Sequence, residues 1–309
     1  MVNNKKLIKP AKDGHIIITD KFIPSRVQKK LINYLHDKIM KSKYKHHYDG
    51  SYHAQKYDLK YILTKIVCFI NNHHRWRGLG TGWCNIYKHF IKLSNWKIID
   101  KSFSDLLIKY VKKRNGKHLK VVMVDTTIIL NKNGNDYIKR NFCVKNKFCS
   151  KLLTIVDDKG VPLFINYNPG SMYDSKCLTR ILDDFLIKTP DIVTFLADAG
   201  FYTNDILDTL KKHNVRPIIA KNVKNKKRDK KYLDNNGNKR KLTTKEKIER
   251  QIEDFTNNDK KLFKKRKKVE NVYANFKQKP HFNMRFDKKI VNMYSLTLLY
   301  FCEKILNHL

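Results

Sequence analysis

The sequence predicts an α/β fold in which a sheet flanked by helices follows an all-α N-terminal domain. From about residue 55 to 112, apolar residues recur three and four positions apart, a spacing typical of amphipathic helices. After residue 117 the period changes, and runs rich in β-branched residues alternate with shorter helical patterns. This alternation is typical of an α/β domain.

The chain is long enough for two domains. Its 309 residues, of which 41% are hydrophobic, can bury one substantial core and still carry a smaller appended domain. The sequence RNGK at residues 114–117 indicates a linker at the point where the periodicity changes. We therefore expect a helical domain at residues 1–115 and an α/β domain at residues 116–309.

The helical domain contains a glycine-rich break between two apolar helical patterns, YILTKIVCFI and NIYKHFIKL. The break, HHRWRGLGTGWC, is surrounded by the basic residues Arg75, Arg77, Lys88 and Lys92. A helix, a turn and a helix with cations around the turn predict a helix-turn-helix-like module that contacts DNA. Short helical hairpins are also common scaffolds, which is the alternative interpretation.

The charge balance of the chain indicates a polyanionic partner. Lys and Arg total 66 against 28 Asp and Glu, which gives a formal net charge of +38. An AT-rich coding sequence would enrich Lys and Asn but would not explain the shortage of acids. We therefore expect the protein to bind nucleic acid.

Membrane and secretory classes are not expected. No apolar run approaches the roughly 18 to 20 residues that span a bilayer, and the start MVNNKKLIKPAKDGHIII lacks a signal-peptide core. We expect an intracellular protein without a membrane partner, located in the cytoplasm or nucleoid of a prokaryote, or otherwise in a nucleus or a viral replication site.

The segment at about residues 221–250 is a separate basic insertion, with 13 Lys or Arg and four acids. It has almost no apolar side chains, so we expect that it cannot fold alone. A flexible polycation of this kind can lie along DNA phosphates. A solvated loop and a nuclear-import signal are the alternatives.

The second domain is predicted to contain three strands, a helix, a strand, a helix, a strand and a long helix. Asp158, Lys159 and Gly160 indicate the turn of a hairpin within LLTIVDDKGVPLFINY. The first helix follows, with Asp174 or Ser175 at its N-cap. The strands and helices of this order are LKVVMVDTTIIL, the two halves of that hairpin, DSKCLTRILDDFLI, IVTFLAD, NDILDTLKKHN, RPIIA and NNDKKLFKKRKKVENVYANFKQ.

Two aspartates lie at strand positions in this domain. Asp125 follows VVMV and Asp198 follows FLA. An ionised carboxylate beside apolar strands is costly unless it is paired or binds a cation, so both predict a shared divalent metal. Taken singly, each Asp is also consistent with a turn or cap residue.

A third acid lies on the long helix near the end of the chain. At 100° per residue, Phe263, Arg266, Glu270 and Lys277 share one face. The neighbouring arc is apolar and is expected to pack on the sheet; it contains Val269, Val272, Tyr273 and Phe276. Glu270 could thus reach a metal held by the two aspartates, or form only an exposed ion pair with Arg266.

These residues together resemble the DDE transposases of bacterial insertion sequences. The family signature is Tyr, two residues, Arg, three residues, Glu, six residues, Lys, and this chain has it with Phe263 in the aromatic position. VVMVDTT and FLADAGFYTNDILDTLKKHNVRPII match the two Asp motifs, and the likeness extends over roughly residues 20 to 309. The resemblance implies a ribonuclease H-like mixed sheet flanked by helices.

The resemblance also implies a mechanism. Asp125, Asp198 and Glu270 would hold two Mg²⁺ ions, for which Mn²⁺ can substitute, about 3.5 to 4 Å apart at one scissile phosphate. Water would free a 3′ hydroxyl at the transposon end, and that hydroxyl would attack target DNA. Arg266 and Lys277 would neutralise phosphate charge.

The implied partner is double-stranded DNA, both transposon ends and target, bound by a homodimer. Two alternatives remain open: a catalytically silent DNA-binding protein derived from a transposase, and a ribonuclease H-like nuclease that cuts without joining. Asp174 is interpreted first as a helix cap and second as a further acid of the site.

Overall fold

The computed structural model describes residues 6–10, 16–20, 22–49, 57–73, 75–114, 120–221 and 242–309. Its strands are β1 (Lys6–Pro10), β2 (Ile16–Asp20), β3 (Val121–Asn131), β4 (Lys139–Asn141), β5 (Lys147–Asp157), β6 (Pro162–Pro169), β7 (Thr194–Ala197), β8 (Arg216–Ile219) and β9 (Met284–Arg285). Its helices are α1 (Arg26–Met40), α2 (Leu59–Asn72), α3 (Trp83–Asn95), α4 (Ile98–Lys113), α5 (Asp174–Lys188), α6 (Asn204–Lys212), α7 (Thr244–Gln251), α8 (Asn257–Phe263), α9 (Lys267–Lys277), α10 (Pro280–Asn283) and α11 (Ile290–Leu306).

Seven strands form one mixed sheet with β3 near its centre. The strands run β4, β5, β3, β7, β8, with β6 also paired to β5 and β9 to the far end of β3. The pairs β3–β5 and β5–β6 are antiparallel, whereas β3–β7 and β7–β8 are parallel. Three antiparallel strands followed by two parallel ones, with α5 and α6 as the connections, confirm the expected ribonuclease H-like topology.

The hairpin of β5 and β6 forms where its turn residues predict it. Gly160 has a φ of +78°, a left-handed conformation that glycine adopts without strain. Its amide donates to the Asp157 carbonyl at 2.9 Å. The Asp157 carboxylate is buried and accepts from the Tyr110 hydroxyl and from Arg114, so the hairpin is bonded to the end of α4.

The helical N-terminal region is confirmed, and a two-stranded antiparallel sheet of β1 and β2, which the sequence pattern did not predict, precedes it. Helix α1 begins with a capping box between Ser25 and Gln28. Helices α1 to α4 pack with α11, the apolar helix at the other end of the chain. Ser94 and Ser295 bond at 2.7 Å across this contact. In the described part of the chain, no helix combines the length and apolar character needed to cross a membrane.

Three local expectations are corrected. The long helix near the end is broken, because a 3₁₀ turn at Lys264–Arg266 separates α8 from α9. Asp174 is not the cap of α5: the N-cap residue is Tyr173, and the Asp174 side chain faces the sheet. The basic segment was expected not to fold alone, but its last residues form α7, which Thr243 caps. Residues 222–241 of that segment lie outside the described residues.

Candidate active site

The strand register brings the two aspartates side by side on β3 and at the end of β7, two neighbouring inner strands; we call this position the acid edge of the sheet. Met123 pairs with Leu196 across the parallel strands β3 and β7. Asp125 and Asp198 each lie two residues beyond this pair, so their backbones are at the same level on neighbouring strands. The three apolar residues directly before each aspartate, at positions 122–124 and 195–197, are fully buried in the core. They fix the position of the strands and therefore the position of the two carboxylates.

Asp125 carries a carboxylate that is poorly compensated. Its side chain is 18% exposed, and its Oδ1 accepts the Thr126 amide at 2.7 Å. Its Oδ2 lies 3.4 Å from the Arg266 guanidinium. Burial, followed by the charge of Asp198, raises the pKa of Asp125 to about 7, although the Thr126 amide and Arg266 oppose this shift.

Asp198 begins a short 3₁₀ turn, Ala199–Phe201, directly after β7. Its Oδ1 accepts the Gly200 amide at 2.9 Å. Burial raises the pKa of Asp198, the Gly200 amide and Arg266 lower it, and the charges of Asp174 and Glu270 raise it further. Four acids therefore lie close enough to repel one another at the acid edge of the sheet.

Arg266 connects Glu270 to Asp125. Its carboxylate is 46% exposed and accepts from Arg266 at 2.6 Å, the i,i+4 pair that was the alternative interpretation. The same guanidinium also contacts Asp125. It lies over the Phe263 ring, 5.7 Å from the ring centroid. The structure thus shows the ion pair, and the role of Glu270 as a metal ligand stays a prediction.

Tyr273 attaches α9 to the sheet below the acids. Its buried hydroxyl donates to the backbone carbonyl of Asp125 at 2.7 Å and lies 3.3 Å from that of Leu152. Val269 and Phe276, on the same arc of α9, are fully buried. The predicted packing face is confirmed, and it places the Glu270 side of the helix beside β3.

Asp174 is the fourth acid. Its Oδ1 accepts from the Thr126 hydroxyl at 2.7 Å and from the Lys151 ammonium at 2.7 Å. Its Oδ2 lies towards Gly200, 3.3 Å from where a Cβ on that residue would stand, and Asp198 Oδ1 is 3.1 Å from the same point. A side chain at Gly200 would therefore crowd both carboxylates.

Lys277, the last signature residue, lines a cavity of 450 Å³ beside this cluster. Thr126, Lys151 and Asp174 line the same cavity. Burial lowers the pKa of Lys277. Among the four acids, Asp174 is the one that lines this cavity with Lys277, and the space between them is open to a ligand.

The donor chemistry suits a hard divalent cation. Asp125 and Asp198 supply carboxylate oxygens, the ligands that Mg²⁺ and Mn²⁺ prefer. A cation would offset both the burial and the repulsion that raise the pKa of Asp125. Among the described residues, no three His, Cys, Asp or Glu side chains already converge on one metal position. Glu270 is held by Arg266 instead.

The predicted DNA-contact residues of the N-terminal region lie around a rigid turn. Trp76, between two arginines, is buried, stacks on Phe69 at 3.8 Å and donates to Asp287 at 3.4 Å. Arg75 and Arg77 are exposed on either side of it, and Lys88 is exposed on α3. Their contact with DNA stays a prediction.

Three residues of the site were missed by sequence reasoning: Thr126, Lys151 and Tyr273. Thr126 follows Asp125 directly, and Tyr273 belongs to the predicted packing arc. The local sequence therefore indicated that both lie near the site, but it did not indicate what their side chains bind. Lys151 had none. Its position on β5 indicates nothing about Asp174 until the hairpin and α5 are folded together.

The chain was compared with known families and structures. The family model described as the transposase DDE domain matches residues 116–300. No curated protein matches the chain. The crystal structure of the Mos1 mariner paired-end complex with Mn is similar at 15% identity and a TM-score of 0.26, covering 58% of this chain and 61% of that one.

A second solved structure is the catalytic domain of Mos1 mariner transposase, at 12% identity and a TM-score of 0.25, covering 61% of this chain and 95% of that one. Structural likenesses this weak establish neither fold nor function. The family model, in contrast, matches more than half of the chain and includes β3 with Asp125, β7 with Asp198 beyond it, and α9 with Glu270. The chain therefore belongs to the DDE transposase family.

Proposed function

We propose that the protein cleaves DNA at transposon ends and joins the freed 3′ hydroxyl to target DNA. The observation that carries the proposal is that Asp125 and Asp198 lie at one level of two parallel strands. Glu270 on α9 is connected to Asp125 through the guanidinium of Arg266, which contacts both carboxylates. In a structural ion pair the charges balance, whereas the acid edge of the sheet holds more acids than bases. The acids are Asp125, Asp174, Asp198 and Glu270, and the bases are Lys151, Arg266 and Lys277. Such an excess is typical of a site that binds cations.

Asp125, Asp198 and Glu270 would hold Mg²⁺ or Mn²⁺. When bound, the ions supply charge neutralisation at the scissile phosphate and lower the pKa of the attacking water. Because the pKa of Asp125 is about 7, this carboxyl must lose its proton before it can act as a ligand. Cation binding near neutral pH should therefore release a proton.

Arg266 has two roles in this proposal. Without DNA it neutralises Asp125 and Glu270, the contacts seen in the structure. When a phosphate enters, the guanidinium can exchange a carboxylate for phosphate oxygens, which it binds in the same planar, two-pronged manner. Glu270 then becomes available as a ligand, so substrate binding would complete the site.

Lys277 and Tyr273 complete the arrangement. Lys277 faces the cavity beside Asp174 and would neutralise a second phosphate of the same strand. Tyr273 holds α9 against the backbone of Asp125 and keeps the distance between strand and helix constant.

The partner is double-stranded DNA, consistent with the charge of +38. We also retain the expectations of a homodimer on DNA and of an intracellular location.

The test is a cleavage and joining assay with the full chain. A donor plasmid carries the DNA that flanks this gene, and a second plasmid is the target. We expect cleavage and joined products with Mg²⁺ or Mn²⁺ and neither with excess chelator. Cleavage without joining would indicate a nuclease instead, and cleavage that persists in chelator would exclude the metal-dependent mechanism.

A further inference from the structure

A second feature of the molecule is a basic cleft of 660 Å³, which none of the four acids of the candidate active site lines. It lies between the second half of α1, the turn that follows α1, and α4. Five of its lining residues are lysines, and one is an acid, Asp37; the lysines are Lys38, Lys41, Lys43, Lys101 and Lys109. We call this the lysine cleft.

Most of the positive charge in the lysine cleft is uncompensated. Lys38 pairs with Asp105, and Asp37 lies 3.2 Å from His36. The other four lysines are exposed, and no ion pair forms at any of them within the described part of the chain. A concave surface of one sign concentrates counter-charge more strongly than a convex one. The cleft is therefore suited to a polyanion.

The aromatic rings in the lysine cleft are already in contact with other side chains of the protein. Lys109 lies over the Tyr34 ring at 5.1 Å, and Lys43 over the Tyr44 ring at 5.3 Å. Tyr44 is also stacked on Trp96, with centroids 4.2 Å apart and planes 5° from parallel. Single-stranded nucleic acid is generally held by stacking on open aromatic rings. A backbone contact with a duplex agrees better with this surface.

The lysine cleft is continuous with the predicted DNA-contact helix. Trp96, which stacks on Tyr44 at the cleft edge, follows the last residue of α3, and its amide donates to the Lys92 carbonyl at 2.9 Å. The exposed cations Lys88 and Lys92 therefore lie within about two helical turns of the cleft edge. A duplex contacting Lys88 and Lys92 on α3 could therefore also reach the lysine cleft.

We propose that the lysine cleft binds the phosphodiester backbone of duplex DNA, independently of base sequence and separately from the surface around Arg75 and Lys88. This inference rests on the proposed function, because it takes DNA as the substrate. Contact through lysines alone would add affinity and salt dependence but no preference between sequences, since phosphates are identical along any duplex.

The test compares two variants that lose the same charge. The cleft variant changes Lys41, Lys43, Lys101 and Lys109 to Gln and retains Lys38 with its Asp105 partner. The control variant changes four exposed lysines outside the cleft to Gln: Lys29, Lys30, Lys60 and Lys211. Binding of a fluorescein-labelled duplex of random sequence is measured by anisotropy over a series of salt concentrations, with a duplex RNA as a second probe.

We expect the log–log salt slope of the cleft variant to fall by about 2 to 4 relative to the parent protein, since each lost phosphate contact contributes about 0.9. DNA affinity near 0.1 M salt should fall about a hundredfold. The control variant should change its slope by less than about one. Circular dichroism confirms that both variants are folded.

Equal slopes for the cleft and control variants would overturn the inference, as would a cleft variant with the parent slope. Preferential loss of RNA binding would assign the cleft to RNA instead and would also overturn it. The cleavage and joining assay separates the two proposals. If the parent protein cuts and joins DNA while the cleft variant retains its salt slope, only the cleft proposal fails. If the parent protein neither binds nor cuts DNA, both the proposed function and the cleft proposal are wrong.

Discussion

Two polar clusters lie at different positions along β3 and differ in how they are compensated. Near the far end, Asn131 pairs with Arg285 of β9. Arg285 is 0% exposed and bonds to the Asp136 carboxylate and to the backbone carbonyls of Asp136, Asp287 and Lys288. At the other cluster, Asp125 and its neighbouring acids share Arg266.

The difference indicates which cluster is structural and which is functional. A buried charge is tolerated when donors meet acceptors, and the Arg285 cluster meets this condition. The acid cluster does not, because burial and, after it, repulsion from Asp198 raise the pKa of Asp125 to about 7. Excess charge, rather than burial alone, therefore distinguishes the candidate active site. Four predictions test this distinction.

The largest effect is expected from neutralising the acids. Asp125→Asn, Asp198→Asn and Glu270→Gln should each lower DNA cleavage at least about a thousandfold, because each removes about 4 kcal/mol or more of transition-state stabilisation. DNA affinity should stay within about threefold of the parent value. Asp184→Asn, an exposed acid on α5, is the matched control. Full cleavage by any of the three variants would remove that residue from the site.

The second effect concerns the compensated cluster. Arg285→Met should lower the free energy of unfolding by about 3 kcal/mol, because it leaves buried carbonyls without their donor and removes the charged partner of Asp136. Glu270→Gln should change it by less than about 1 kcal/mol, since that carboxylate is half exposed. Urea unfolding of both variants measures the difference. Equal losses would mean that the two clusters do not differ in structural role.

The third effect is a dependence of stability on pH. The folded-state pKa of Asp125 lies above its usual value, so its protonated form stabilises the fold, and this contribution is lost as pH rises through about 7. Without metal, the stability of Asp125→Asn relative to the parent should therefore increase by about 2 kcal/mol between pH 5 and pH 8. Urea unfolding in chelator at both pH values gives the comparison. A difference that is constant with pH would contradict the raised pKa.

The smallest effect concerns Asp174. Its charge is partly compensated, because Lys151 donates to one of its two carboxylate oxygens. Asp174→Asn should lower cleavage about tenfold, or about 1.4 kcal/mol, and raise the Mn²⁺ concentration required for half-maximal activity. Asp184→Asn on the same helix should change neither quantity. Electron paramagnetic resonance of free Mn²⁺ measures cation binding directly. An unchanged Mn²⁺ affinity in Asp174→Asn would leave this acid with a purely structural role.

The element order and the positions of three acids could be predicted because their signals are local. The apolar residues around Asp125 predict a strand that carries this carboxylate within it, those before Asp198 predict a strand that ends at its carboxylate, and Gly160 predicts the hairpin turn. The helical spacing of Arg266 and Glu270 predicts their ion pair. The 3₁₀ turn ending at Arg266 was not predicted, because its residues have ordinary helix propensity and nothing in the local sequence requires a break.

The sequence by itself determined the type of most of the longer strands and helices from α2 to α9, the packing face of α9 and the family. These follow from periodicity, turn chemistry and motif spacing, which act over a few residues. Only the tertiary structure decided that Thr126 and Lys151 bond to Asp174, and that Arg285 is buried against Asp136, 149 residues away in the sequence. A charged side chain can be buried only where partners from distant segments meet it. Compensation is therefore a property of the folded chain.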